Sequence, residues 1–166
     1  ENNFIYYVLG KKERHTLADY VTGVEETSTN KIVLYSSAQT GKTTELKQLC
    51  WELQQSGLYL PVSFEVRTNT KLKRDDLPES QYVDGREVVL VIDALDEVNG
   101  QKYEDLLEEI GGYAYEHPEM KMVLSCRSNF RRERQLELFT ELFLEELSID
   151  DARDYAAKRE VNSDRF

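Results

Sequence analysis

The chain has 166 residues, 40% apolar and 32% charged, with a formal net charge of -11 at pH 7. That length suits one domain around one core rather than two, and no segment reaches the roughly 18 consecutive apolar residues of a membrane-spanning helix. The acidic balance disfavours nucleic acid and anionic membranes, whose recognition needs a concentrated positive field, so any bound anion must be held by local geometry. Glu1-Asn2-Asn3 shows no basic patch followed by an apolar stretch, so no secretory signal is read there. Cys50 and Cys126 fall in apolar segments and read as reduced core thiols of a cytoplasmic protein.

In chain order, Lys31 to Tyr35 (KIVLY) is a short β-branched apolar run, the pattern of a strand buried on both faces. After SSAQTGKT comes TELKQLCWELQQSG, in which Leu46, Leu49, Cys50 and Leu53 recur at helical steps and Gly57 stands where a helix stops. Tyr59 to Val66 predicts a second strand, Thr68 to Arg86 a loop without either period, and Val88 to Ile92 (VVLVI) a central strand. Asp105 to Glu116 places Leu106, Leu107, Ile110 and Ala114 on one helical face, with Pro118 ending it. Met122-Val123-Leu124 opens another strand, Phe143-Leu144 a last one, and Ser148 to Asp151 resembles a capping-box start for the helix DARDYAAKRE. Strands alternating with helices predict a parallel sheet covered on both faces.

Three sets of residues carry chemistry. Ser36-Ser37-Ala38-Gln39-Thr40-Gly41-Lys42-Thr43 lies between a strand and a helix and matches the Walker A pattern, except that serine replaces the first glycine. Backbone N–H groups and a helix N-terminus cradle a β-phosphate in such a loop, and Gly41 permits close backbone approach. Lys42 is expected to neutralise the β- and γ-phosphates, Thr43 to join a magnesium shell, and Thr44 to bond the α-phosphate. The second set is VVLVIDALDE, where Asp93 ends an apolar strand at the sheet edge that binds ligands in open α/β folds. Asp93 is expected to hold magnesium through water, and Asp96 or Glu97 to polarise an attacking water. The third is Arg127 in Ser125-Cys126-Arg127, again at a strand end, positioned to report the γ-phosphate. Arg131, Arg132 and Arg134 read as a solvated basic loop. His15 and His117 lack Cys or acidic companions at metal-ligand spacing and read as surface or helix-end residues.

SSAQTGKTTEL, VVLVIDALDE and VLSCRSNF together resemble the NACHT branch of the STAND nucleotide hydrolases, and the resemblance covers nearly the whole chain. Val8 to Glu13 is similar to that family's entry segment beside the base, with lysine in place of the usual arginine, and LFLEELSIDDARDYA to its transition into a helical domain. The resemblance implies a P-loop NTPase three-layer α/β/α sandwich with a mainly parallel five-stranded sheet in the order 5-1-4-3-2. The Arg127 strand then lies between the P-loop strand and the Asp93 strand. It divides the chain into an entry segment and helix over 1–30, the NTPase core over 31–147, and the start of a helical domain over 148–166. ATP, with GTP as the alternative, and Mg²⁺ are the implied ligands. The winged-helix region that carries the family's second nucleotide sensor has no counterpart in this sequence.

The function expected on that basis is a nucleotide switch that binds and hydrolyses ATP within a larger signalling or antiphage defence protein, with self-association through the full-length chain. A nucleotide-locked scaffold with little turnover is the alternative from another class. An AAA-type ATPase acting on nucleic acid and a small-molecule kinase rank lower, because the sequence shows neither a basic track nor an acceptor pocket. No direct nucleic-acid or membrane partner is expected for this domain.

Overall fold

A computed structural model describes residues 6–8, 11–13, 17–23, 29–36, 42–66, 72–93, 100–127 and 136–144. The elements are β1 (Tyr6–Val8), β2 (Lys11–Glu13), α1 (Leu17–Thr22), β3 (Lys31–Ser36), α2 (Lys42–Ser56), β4 (Tyr59–Glu65), β5 (Tyr82–Val83), β6 (Arg86–Asp93), α3 (Gly100–Glu116), β7 (Lys121–Arg127) and β8 (Thr140–Leu144). A 3-10 turn at Arg74–Asp76 interrupts the stretch read from sequence as loop. Residues 148–166, with the expected last helix, lie outside the described residues.

Among the described residues the sheet has eight strands rather than five, in the order β2-β1-β8-β3-β7-β6-β4, with β5 paired to β6 off that path. The run β8-β3-β7-β6-β4 is parallel throughout. The added strands β1, β2 and β5 all pair antiparallel. They escape sequence reading because two or three residues are too few to show alternation. β5 and β6 form a hairpin whose turn holds Asp84 at φ 50 and Gly85 at φ 76, the left-handed pair that two-residue hairpin turns demand.

Pleat alternation sorts the strand side chains onto two faces. Ile32, Leu34, Val89, Val91, Val123 and Leu142 pack with α1 and α2, whose Leu17, Tyr20, Leu46, Leu49 and Leu53 are all buried. Val33, Tyr35, Val88, Leu90, Ile92 and Leu124 pack with α3 on the opposite face. The sheet is thus covered on both sides, which is why VVLVI is apolar without alternation.

α3 begins five residues before the expected Asp105, because Tyr103 extends the same apolar face and is itself buried. Its interior Gly111 and Gly112 each cost about 1 kcal/mol relative to alanine. Burial of Leu106, Leu107, Ile110 and Tyr113, at about 1.5–3 kcal/mol for each large side chain, outweighs that cost. The Arg74 guanidinium packs over Gly112, where a Cβ would lie. Arg74 is held there by Glu116 at 2.6 Å, while the Tyr113 hydroxyl donates to the Pro78 carbonyl at 2.7 Å. The connection from β4 to β6 is therefore strapped onto α3.

At the edge of the sheet where β3 and β7 begin, Lys31 is 2% exposed and its Nζ donates to the carbonyls of His117, Pro118 and Met120. Burial pushes this ammonium down to about 8, with Lys121 adding to the shift and Glu119 opposing it. Burial likewise pushes the Tyr113 phenol up to about 12. The His117 ring lies against Tyr113 just after α3, with ring centroids 4.4 Å apart and planes tilted by 32°. Cys126 is buried in the core and Cys50 half-buried; neither is in a disulfide.

Candidate functional site

The parallel strands end on one edge of the sheet, β3 at Ser36, β4 at Glu65, β6 at Asp93 and β7 at Arg127. Alternation carries the α2-facing side of each strand to that edge. Ser36 follows Ile32 and Leu34, Asp93 follows Val89 and Val91, and Ser125 and Arg127 follow Val123. Polar residues thus replace apolar ones on the face of the sheet that α2 covers.

α2 starts at Lys42 on this edge, with Thr43 and Thr44 exposed in its first turn. The first four N–H groups of a helix lack partners within it, and the aligned peptide dipoles place partial positive charge there. Thr43 closes the geometry: its hydroxyl donates to Asp93 Oδ2 at 3.1 Å across 50 residues of sequence. Asp93 Oδ1 accepts from the Ser125 hydroxyl on the neighbouring strand. Two of the three sequence-predicted sets therefore meet through Thr43 and Asp93, and the third strand contributes through Ser125.

Ser36 lies within β3, paired with Arg127 on β7, rather than in the loop. Its extended backbone needs no glycine. The residue is 1% exposed, and its Oγ has no hydrogen-bond partner among the described residues. A buried hydroxyl left unmatched costs about 1–3 kcal/mol. Arg127 is the exposed last residue of β7. Ser37, Ala38, Gln39, Thr40, Gly41, Asp96 and Glu97 lie outside the described residues, as does the Arg131, Arg132 and Arg134 loop.

The donor set tests which ligand fits. Thr43 and Asp93 offer hydroxyl and carboxylate oxygens, the hard donors that suit Mg²⁺ and suit zinc or copper poorly. No group of three His, Cys, Asp or Glu able to hold a metal occurs among the described residues. A cation here would complete its shell with water and the oxygens of a bound phosphate, which is how Mg²⁺ is usually held.

Two features were not picked out from the sequence. Ser125 was visible only as a neighbour of Arg127; one hydroxyl inside the apolar run MVLSC was the available signal. A cavity of about 510 Å³ between α2, β4 and β6 runs from Thr43 and Asp93 past Lys47, Cys50 and Trp51, with Glu65 at its rim. Nothing in the sequence announces it, because its walls come from three separate elements. Cys50 faces this cavity, its Sγ 3.4 Å from Ser63 Oγ.

No protein-family model matches the chain, and no curated protein matches it. Among the described residues, no helix is long and apolar enough to cross a membrane.

Proposed function

We propose that this domain binds a nucleoside triphosphate, ATP before GTP, together with Mg²⁺, and hydrolyses it as the nucleotide switch of a larger STAND or NACHT-type protein. The observation that carries the reading is the Thr43 to Asp93 hydrogen bond. It joins the residue after the loop lysine to the acid that ends a central strand, at a helix N-terminus on the ligand-binding edge of a parallel sheet.

Each residue then has a physical task. The 36–41 segment and the N-terminus of α2 hold the phosphates through backbone N–H groups, and Lys42 supplies the balancing charge. Thr43 and Asp93 hold Mg²⁺, which when bound screens the phosphate oxygens and draws charge from them. Asp96 or Glu97 orients water for attack, and Arg127 reaches the terminal phosphate from the end of β7. The Ser36 hydroxyl, buried and without a partner among the described residues, supports a ligand on this edge. The family assignment rests on the motif resemblance together with the α/β sheet covered on both faces.

Equilibrium titration with a non-hydrolysable ATP analogue tests the reading. Binding is expected to tighten with Mg²⁺ in the wild-type chain, and Thr43→Val or Asp93→Asn to remove the Mg²⁺-dependent part while leaving the weaker metal-free binding in place. Binding indifferent to Mg²⁺ and to both substitutions would refute it.

The cavity beside Thr43 and Asp93 favours a second reading, phosphoryl transfer to a small-molecule acceptor, since its 510 Å³ lies within the range of ligand pockets. Product stoichiometry separates the two. Hydrolysis releases one phosphate for every ADP formed, whereas transfer forms ADP without free phosphate.

A further inference from the structure

The hydroxyl of Ser125 is an anomaly in its strand. β7 reads KMVLSCR, and Met122, Val123, Leu124 and Cys126 around it are all buried apolar residues. Ser125 is itself 0% exposed. A buried hydroxyl costs free energy that an alanine or valine at a strand position avoids, so its hydrogen bond to Asp93 needs a reason beyond packing.

Strand order supplies the reason. Ser125 sits opposite Leu34 of β3 on one side, and its neighbour Leu124 sits opposite Ile92 of β6 on the other. β7 therefore separates the strand leading into the 36–41 segment from the strand bearing Asp93, and Ser125 bridges that gap at the ligand edge. An ionised carboxylate is acceptor-only, so both hydroxyls donate to it, Ser125 to Oδ1 and Thr43 to Oδ2. A carboxylate held at both oxygens has little rotational freedom about its last torsion. Thr43, having spent its proton on Asp93, keeps its oxygen lone pairs for a cation.

We propose that Ser125 is a positioning residue for the cation site, fixing the Asp93 carboxylate so that Asp93 and Thr43 present oxygen donors together. The proposal rests on the Mg²⁺-nucleotide reading above and adds to it a residue that touches neither metal nor nucleotide. Outer partners of this kind typically change metal affinity by roughly 10- to 100-fold when removed.

The test measures binding rather than turnover. The Mg²⁺ concentration giving half-maximal binding of a fluorescent non-hydrolysable ATP analogue is determined for wild type, Ser125→Ala and Ser125→Thr. Ser125→Ala is expected to raise that midpoint roughly 10- to 100-fold, with metal-free analogue binding unchanged, and Ser125→Thr, which keeps the hydroxyl, to restore it. A merely structural serine would lower the melting temperature and leave the Mg²⁺ midpoint alone. In an Asp93→Asn background, which lacks the Mg²⁺-dependent binding, Ser125→Ala is expected to leave the remaining metal-free binding unchanged, because the group it positions is already altered. Ser125→Cys, which keeps the volume but offers only a weak thiol donor, is expected to shift the midpoint in the same direction and serves where the alanine variant folds poorly. A wild-type chain that binds no analogue overturns the nucleotide reading and this proposal with it. Mg²⁺-dependent wild-type binding with an unshifted midpoint in folded Ser125→Ala, or an equal loss of metal-free binding in the Asp93 and Asp93→Asn backgrounds, overturns this proposal alone.

Discussion

The Thr43 hydroxyl meets Asp93 Oδ2 at 3.1 Å although 50 positions of sequence separate them. α2 brings the first residue to the sheet edge and β6 the second, and neither segment has a local reason to seek the other. The contact follows from parallel strands β3, β4, β6 and β7 that end on the edge where α2 begins.

Water activation is assigned to the acid pair following β6. Asp96→Asn with Glu97→Gln is expected to keep nucleotide affinity and to lower the hydrolysis rate by roughly 10²- to 10⁴-fold, the contribution of a positioned general base. Single-turnover phosphate release measures it, and undiminished turnover moves the assignment to the nucleotide-locked scaffold.

Arg127 ends β7 on the α2-facing side, next to Ser36 in register. An arginine that contacts only the terminal phosphate discriminates ATP from ADP, which lacks that group. Arg127→Ala is expected to weaken an ATP analogue by about 1.5–3 kcal/mol, the range for hydrogen bonds to charged groups, and to leave ADP affinity nearly unchanged. Equal losses for both nucleotides, measured at one salt concentration, mark the residue as structural.

Much of this site was legible in the sequence because each of its strands announces itself by an apolar run followed abruptly by polar residues: KIVLY before Ser36, VVLVI before Asp93 and MVL before Ser125. The 3.6-residue spacing of Leu46, Leu49 and Leu53 placed α2 and hence Thr43. What sequence could not show depends on chain partners rather than on period. β1 and β2 exist through pairing with β8 and each other, and β5 through its hairpin with β6. The role of Ser125 is visible only once β7 is seated between β3 and β6. The buried state of Lys31 is equally hidden, since a lysine at a strand start ordinarily reads as solvated.

Lys31 and Tyr113 give the fold a distinctive alkaline profile. Lys31 holds its proton to about 8 in the folded chain against an ordinary 10.5, so between those values the unfolded chain binds more protons and stability from this group rises with pH. Tyr113 reverses the sense: the folded chain keeps the phenolic proton to about 12 against 10.0, so its contribution falls as pH climbs through that window. Urea midpoints at pH 7.5, 9 and 10 (~, chosen to straddle the Lys31 window) are expected to show the rise in wild type and its loss in Lys31→Met. An identical slope in both proteins contradicts the assignment.

The core prediction is independent of function. Leu90 is fully buried at the centre of β6, between strands on both sides. Leu90→Ala is expected to cost about 2–5 kcal/mol from lost burial and the cavity left behind. Chemical denaturation measures it; a loss below about 1 kcal/mol means the site collapses around the smaller side chain or is packed less tightly than described.

The most direct measurement is calorimetric titration of MgATP into the wild-type chain and into Lys42→Ala, with chain folding checked by circular dichroism. Lys42 is the cation of the 36–43 motif, and on the proposed reading phosphates bound there would lack their balancing charge without it. The account predicts saturable binding to wild type and loss of most of that affinity in the folded variant. Equal affinity in the two proteins, or heat indistinguishable from dilution in the wild type, would contradict it.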